Sequence, residues 1–232
     1  MQKILGIGTT GLVGARVSEL LKNFEINPIS RASGVDITDH NSLEHAVINF
    51  EGNWILHMAA KADVDGCEDD KKYGHDGNAW IMNVLATENI AKLCKKYDKK
   101  LIYISTDFVF DGQKPLGESY NENDSVHAIN WYGETKMMGE VKIAESGASH
   151  IILRIAYPYG ISSALKKDFV RIIGARLKDG KEIRGVTDHI MCPTYIDDVA
   201  FAIEESINQD LDGIYHAVGS EPITPYDAAL LI

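Results

Sequence analysis

The run Gly8-Thr9-Thr10-Gly11-Leu12-Val13-Gly14 follows directly on the apolar segment Lys3-Ile4-Leu5-Gly6-Ile7, and no other feature constrains the fold as much. An apolar run that meets glycines and then an amphipathic stretch reads as a strand turning tightly into a helix. Such a turn aims backbone N–H groups, at the positive end of a helix dipole, toward a pyrophosphate. A Cβ at Gly11 is expected to fill the path by which the phosphates approach, with added strain if φ there is positive.

Behind that turn the chain alternates. Short apolar runs at 3–7, 26–30, 53–58, 100–105 and 150–156 are separated by amphipathic stretches near 11–23, 39–49, 78–97 and 130–146, the pattern of repeated βαβ units. It predicts an α/β fold, a doubly wound parallel sheet of Rossmann-like type with both faces covered. Asp39 stands in N-cap position before Leu43, Ala46, Val47 and Phe50 at helical spacing. Past residue 157 the pattern loosens into a helix near 166–178, short strands near 181–194, a helix near 196–207, a strand near 213–218 and a helix from Thr224-Pro225. We therefore expect a dinucleotide-binding unit over 1–157. Residues 158–232 form a mixed region that contributes a small C-terminal substrate lobe and returns to the sheet. The polar stretch 108–129 is long for a connection, and such loops inside compact domains are usually functional.

Composition excludes several classes. With 45% apolar and 25% charged residues the chain has ordinary globular content. A formal charge of -11 argues against a nucleic-acid surface, because phosphate backbones reward clustered Lys and Arg. The pairs Lys71-Lys72, Lys95-Lys96, Lys99-Lys100 and Lys166-Lys167 read as solvated helix ends and loops. Cys67, Cys94 and Cys192 are too few and too scattered for a disulfide framework or a zinc site, which suits a reducing cytoplasm. No stretch reaches the roughly 18 apolar residues of a membrane span, and no charged leader opens the chain, so neither membrane nor secretion is expected.

Chemistry enters with Tyr132 and Lys136, four apart on the helix expected near 130–146, which puts a phenol and an ammonium on one face. A nearby cation favours the phenolate, so the lysine is expected to lower the tyrosine's pKa. In a chain with ten tyrosines this spacing arises by chance often enough that placement has to carry the argument. It follows the fourth strand, whose end, Ile104-Ser105-Thr106-Asp107, offers a hydroxyl at the carboxyl edge of the sheet, where open α/β sheets bind ligands. Without the tyrosine, Ser105 and Thr106 are equally well read as a strand-ending cap.

Longer stretches now carry a resemblance. Ser105-Thr106-Asp107-Phe108-Val109-Phe110-Asp111-Gly112, then Tyr132 to Lys136 with Gly139-Glu140, look like the extended short-chain dehydrogenase/reductases, and most like the dTDP-4-dehydrorhamnose reductase group. Asp36-Ile37-Thr38-Asp39, Ala59-Ala60 with Val64-Asp65, Leu153-Arg154, Cys192-Pro193-Thr194-Tyr195 with Asp197-Asp198, and Gly213-Ile214-Tyr215-His216 continue the match in order over essentially the whole chain. The glycine spacing and the Tyr/Lys pair are shared by the whole superfamily. The Ser-Thr-Asp block and the Pro-Thr-Tyr segment are specific to this group and its close relatives.

The resemblance implies an NAD(P)H-dependent oxidoreductase that reduces the 4-keto group of a nucleotide-activated deoxysugar, dTDP-4-dehydrorhamnose being favoured, and it is compatible with a homodimer. Thr106 would hydrogen-bond the reacting oxygen, Tyr132 would donate the proton, and Lys136 would lower the tyrosine's pKa and hold the nicotinamide ribose. Gly8, Thr10, Gly11, Leu12, Val13, Gly14, Arg31, Asp36, Ile37, Ala59, Ala60, Lys61 and Ser105 would join Tyr132 and Lys136 in holding the cofactor. Val64, Thr106, Asp107, Phe108 and Tyr157 would touch the sugar. Asn83 matches a polar position that supports the site through water, and reads equally well as a solvated helix residue. The group commonly has Trp in place of Tyr157 and Tyr in place of Phe108, and it continues for several tens of residues past Ile232, so either a C-terminally incomplete chain or a reduced substrate lobe is expected. The same motifs admit an epimerase or dehydratase acting on another nucleotide sugar, although Phe108 after Asp107, where dehydratases add an acid, disfavours dehydration. They also admit a cofactor-bound regulatory protein similar to the methionine adenosyltransferase β subunit.

Cofactor choice is argued from the second strand's end. NAD-selective folds place an acid on the ribose 2′-hydroxyl about 20 residues past the glycine turn. This chain has Ser30 and Arg31 there, groups that suit a 2′-phosphate, so NADP(H) is favoured over NAD(H). His57 reads as a satisfied core histidine and Trp131 as a packing anchor. Asp197-Asp198 reads as the N-cap of the following helix rather than, with Asp188, a metal site.

Overall fold

The sheet grows outward from β1 (Gln2–Ile7), which lies between β2 (Phe24–Ile29) and β3 (Trp54–His57) and pairs with both in parallel. β4 (Lys100–Thr106), β5 (His150–Ile155) and β6 (Gly213–His216) extend it beyond β3, giving six parallel strands in the order β2-β1-β3-β4-β5-β6. The computed structural model describes residues 1–115 and 117–232. The order reverses between β1 and β3, and at such a switch point the loops leaving adjacent strands part to either side and open a crevice at the carboxyl edge.

Two apolar layers explain why the strands read as continuous hydrophobic runs. Leu5, Ile7, Ile55, Leu101, Tyr103 and Ile152 face one way, against Leu43 and Val47 of α2 (His40–Ile48), Ile90 and Leu93 of α5 (Ala86–Lys96) and Ile143 of α6 (Trp131–Ser146). Ile4, Leu56, Ile102, Ile104 and Leu153 alternate to the other face, against Val17 of α1 (Leu12–Leu20) and Val199 and Ile203 of α8 (Ile196–Asn208). The fold is thus the doubly wound, Rossmann-like one, with α7 (Phe169–Lys178) and α9 (Pro225–Leu231) outside the two layers. Among the described residues no helix is long and apolar enough to cross a membrane.

Three local expectations change. A helix missed in the sequence, α3 (Val64–Asp70), follows β3. The helix expected over 78–97 starts as α4 (Asn78–Trp80), widens into a π turn at Ile81–Leu85, and resumes as α5. The short strands expected near 181–194 are absent among the described residues; one antiparallel bridge joins Met191 to Ile223. Residues 181–190 are mostly exposed, so they have no apolar face to bury against a partner strand.

Candidate functional site

The glycine turn divides its labour between three positions. Gly8 takes φ +82°, and a Cβ there would stand 2.4 Å from the Ala59 nitrogen, because the loop leaving β3 crosses directly against it. A Cβ at Gly14 would stand 2.2 Å from the Gly8 carbonyl oxygen. Both glycines are therefore required by the chain's own packing. Gly11 is different: its φ is -73°, and the nearest atom to an added Cβ is the Gly8 oxygen at 3.4 Å. The positive φ considered for Gly11 belongs to Gly8, where the chain reverses. Gly11 is the N-cap of α1, no side chain caps that helix, and its first turn holds no acid. Its leading N–H groups are free to receive an anion, and the uncluttered space at Gly11 is a cradle that a pyrophosphate fits.

α1 itself is tied down by Arg16, which donates to Asp197 through Nε at 2.7 Å and Nη2 at 2.6 Å. This corrects the reading of Asp197-Asp198 as a cap. The N-cap of α8 is Tyr195, without a side-chain bond, and Asp197 instead joins α8 to α1. At the end of β2, Ser30 caps the short turn Arg31–Ser33 by reciprocal bonds with Ser33. The exposed Arg31 donates through Nε to Asp36 at 2.9 Å. Asp36 also accepts from the hydroxyl and the N–H of Thr38, which together with Arg31 hold its carboxyl below the usual range. Ile37 is buried in the core.

Asn83 has a definite task that the sequence left open. It is 1% exposed and sits in the π turn, where the extra residue enclosed by each hydrogen bond rotates side chains relative to a regular helix. Its Oδ1 accepts from Lys61 N at 2.8 Å, while its Nδ2 donates to Lys61 O at 3.1 Å and to Thr135 Oγ1 at 2.9 Å. It therefore clamps the loop carrying Ala59, Ala60 and Lys61 to α6 and is not a solvated helix residue. The close fit of α6 has a sequence signal in Gly133 and Gly139. A Cβ at Gly133 would stand 2.1 Å from the Phe108 oxygen, and one at Gly139 would stand 2.7 Å from the Asn83 oxygen. Asn83→Ala leaves the part-buried N–H and carbonyl of Lys61 without this partner, while Thr135 keeps its bond to the Tyr132 carbonyl, and is expected to cost about 2–3 kcal/mol. Calorimetry should show a melting temperature lower by roughly 4–12 °C; an unchanged value contradicts the clamp.

α6 brings Tyr132 to the carboxyl end of β4. Its N-cap Asn130 accepts from Gly133 N at 2.8 Å, Trp131 N donates to Glu68 at 2.9 Å, and the buried Trp131 ring stacks on Trp80 at 5.7 Å, which makes it the expected anchor. Thr106 caps the turn Asp107–Val109 by accepting from Phe108 N at 3.2 Å, and its hydroxyl donates to Asp107 Oδ1 at 3.1 Å. Burial pushes the Tyr132 phenol above its ordinary pKa, with the adjacent Thr106 hydroxyl opposing the shift. The Phe108 ring lies 5.8 Å from Tyr132, edge-on, and 6.0 Å from Tyr157. Tyr157 adopts φ +41°, a conformation that a non-glycine residue holds only where its surroundings impose it. Its hydroxyl is 3.1 Å from His189 Nε2, a neighbour the sequence did not mark because the stretch around it has no periodicity.

Not all the expected site residues converge. Lys136 donates through Nζ to the Ile104 carbonyl at 2.7 Å, and burial pushes it down to about 7, with Glu140 opposing. The expected lowering of Tyr132 by Lys136 is thus not found. Position i+4 on a helix aligns two Cβ atoms but does not fix where a long side chain ends. Ser105 is buried and Val64 opens α3. His57 is fully buried and pushed by burial down to about 3, a neutral core histidine, but only half satisfied as against the expectation: Nε2 lies 3.0 Å from Thr87 Oγ1, while Nδ1 has no hydrogen-bond partner among the described residues. Among the described residues no three His, Cys, Asp or Glu side chains gather as a metal site.

Asp107 adds a pH-sensitive group. Burial pushes its carboxyl from 3.8 to about 6, so folding favours the protonated form. That contribution is fully present below 3.8 and is lost as pH rises through about 6. Asp107→Asn, which keeps the shape without the charge, should stabilise the protein near neutral pH by on the order of 1–2 kcal/mol and lose this advantage in acid. Denaturant titrations at the two pH values test it, and equal effects at both contradict a raised Asp107 carboxyl.

The RmlD substrate binding domain family matches residues 1–232. Methionine adenosyltransferase 2 subunit beta of Bos taurus is 29% identical over 246 residues, covering 100% of this chain and 71% of that protein. dTDP-4-dehydrorhamnose reductase of Aggregatibacter actinomycetemcomitans is 28% identical over 242 residues, covering 100% and 78%. A crystal structure of dTDP-4-dehydrorhamnose reductase from Bacillus anthracis in complex with NADP matches with a TM-score of 0.89 at 29% identity, covering 99% of this chain and 79% of that one. Since the family match runs from the first residue to the last on a fold shared along nearly all of that length, this chain belongs to the RmlD substrate binding domain family.

Proposed function

We propose that the chain binds NADP(H) along the β1–α1 turn and reduces the 4-keto group of a nucleotide-activated deoxysugar, with dTDP-4-dehydrorhamnose the favoured substrate. The observation that carries this reading is the meeting of Thr106, Asp107 and Tyr132 at the carboxyl end of β4. Support comes from the reductases among its relatives, one of them crystallised with NADP. Gly8, Gly11 and Gly14 with Thr10, Leu12 and Val13 would hold the pyrophosphate, Ala59 to Lys61 and Ser105 would line the remainder, and Arg31, held by Asp36, would meet the 2′-phosphate.

When bound, NADPH supplies the hydride to the carbonyl carbon. Negative charge then builds on the ketone oxygen, and Tyr132 neutralises it by giving up its phenolic proton. Burial keeps that phenol protonated, the state a proton donor must occupy. Thr106 shares the hydrogen bonding at the same oxygen, while Phe108 and Tyr157 offer ring faces to the sugar and exclude water. Incubation with NADPH or NADH and a panel of nucleotide 4-keto sugars, followed by loss of the reduced cofactor's absorbance, should show turnover of at least one sugar with NADPH preferred. No turnover of any panel member by protein that binds NADPH overturns the reading.

A second reading is a non-catalytic, NADP-binding regulatory subunit similar to the methionine adenosyltransferase β subunit. It is favoured by an identity to that protein of 29% against 28% to the reductase, and by Phe108 and Tyr157 where the reductase group commonly has other aromatics. Capture of an adenosyltransferase catalytic subunit without sugar turnover would select it.

A further inference from the structure

Lys136 poses a solvation problem. It is 2% exposed and an ammonium carries three N–H donors, yet among the described residues its one hydrogen-bond acceptor is the Ile104 carbonyl. The centre of the Tyr103 ring lies 3.9 Å from Nζ, well within cation–π range. Tyr103 is fully buried, and that burial pushes its phenol well above the usual pKa, so the ring stays neutral and keeps its electron-rich face. Glu140, one turn beyond Lys136 on α6, supplies the opposing charge and is itself fixed by Arg154, whose Nε and Nη2 donate to it at 3.0 and 2.6 Å. The remaining titratable neighbours are His57, 5.3 Å from the Tyr103 ring and neutral, and Tyr132 on α6. A separate observation points the same way: an added Cβ at Gly139 would stand 2.8 Å from the Tyr103 hydroxyl oxygen, so a mid-helix glycine makes room for this tyrosine.

We propose that Tyr103 is a positioning residue for Lys136: its ring face, backed by the Glu140–Arg154 pair, takes the place of water around the ammonium and holds the charge against the Ile104 carbonyl of β4. The inference rests on the reading, implied by the resemblance, that Lys136 belongs to the reacting group, and it deepens that reading by naming what offsets the burial of its ammonium. It also accounts for an aromatic residue in a strand whose buried neighbours Leu101, Ile102 and Ile104 are aliphatic. The ring acts through the lysine and touches neither cofactor nor sugar in this role.

The test follows the titration of Lys136 by NMR in the intact protein with 13C at lysine Cε, its resonance identified by loss in Lys136→Met. Tyr103→Phe, which keeps the ring, should titrate as the wild type does. Successive fluorination of a phenylalanine placed at 103 withdraws charge from the ring face at nearly constant volume. It should lower the midpoint stepwise, by about one pH unit or tenfold in proton affinity over the series. Glu140→Gln should lower it as well. A midpoint indifferent to fluorination, in proteins that melt as the wild type does, overturns the proposal. No cofactor or substrate enters this titration. A flat series therefore removes the role of Tyr103 whatever the turnover assay gives, and absent turnover removes the reductase reading whatever the titration gives.

Discussion

Tyr132→Phe is expected to lower turnover of a 4-keto sugar by about 10²–10⁴-fold, the range in which positioned proton donors contribute, while NADPH affinity stays near that of the wild type. The phenylalanine keeps the ring that meets Phe108 edge-on and keeps α6 seated, because the helix is anchored by Asn130, Trp131 and Gly133 rather than by the phenol. Only the proton donor goes. Stopped-flow measurement of the absorbance change under single-turnover conditions separates the chemical step from product release. Wild-type single-turnover rates in the variant would remove Tyr132 from the mechanism.

Gly11→Val should abolish NADPH binding in a protein that still folds. The expectation depends on the contrast between the glycines of the turn. Valine at Gly8 would have to adopt φ +82° against the Ala59 backbone, and at Gly14 it would collide with the Gly8 carbonyl, so either change damages the fold itself. At Gly11 the backbone is extended and the protein leaves room for a side chain; what valine fills is the space over the leading N–H groups of α1. A ligand present at 100 times its dissociation constant stabilises a protein by about 2.7 kcal/mol. For a chain of this size that is a rise of roughly 5–11 °C in melting temperature. Thermal melts with and without NADPH should show that rise in the wild type and none in Gly11→Val. A wild-type protein that does not respond would defeat the dinucleotide reading, and an equal rise in the variant would move the pyrophosphate elsewhere.

Much of this fold was legible before any coordinates, for a local reason. Strands buried on both faces have to read as short apolar runs, helices laid on them have to repeat their apolar residues every three or four positions, and a tight strand-to-helix turn has to use glycine. Those signals lie within windows of some ten residues, so β1 to β5, α1, α2, α6 and the glycine turn followed from them, and with them the placement of Thr106 and Tyr132 at the edge of one sheet. The places where the sequence misled are those where a residue's role is set by a partner far away in the chain. Asp197 looked like a cap and is bound to Arg16. Asn83 could be read equally as a site-supporting or a solvated residue, and it clamps Lys61 to Thr135. Tyr157 found His189 in a stretch without periodicity.

Lys136 shows the division most sharply. The sequence by itself determined that Tyr132 and Lys136 share a helix face, because the helical repeat aligns Cβ atoms four residues apart. Where the ammonium ends up was decided by the Tyr103 ring, the Ile104 carbonyl and Glu140, which only the folded sheet and helix bring together. A buried charge goes to whatever groups can replace its water. Those groups are a property of the packed interior, assembled from β4, β5 and α6, and no window along the chain contains them.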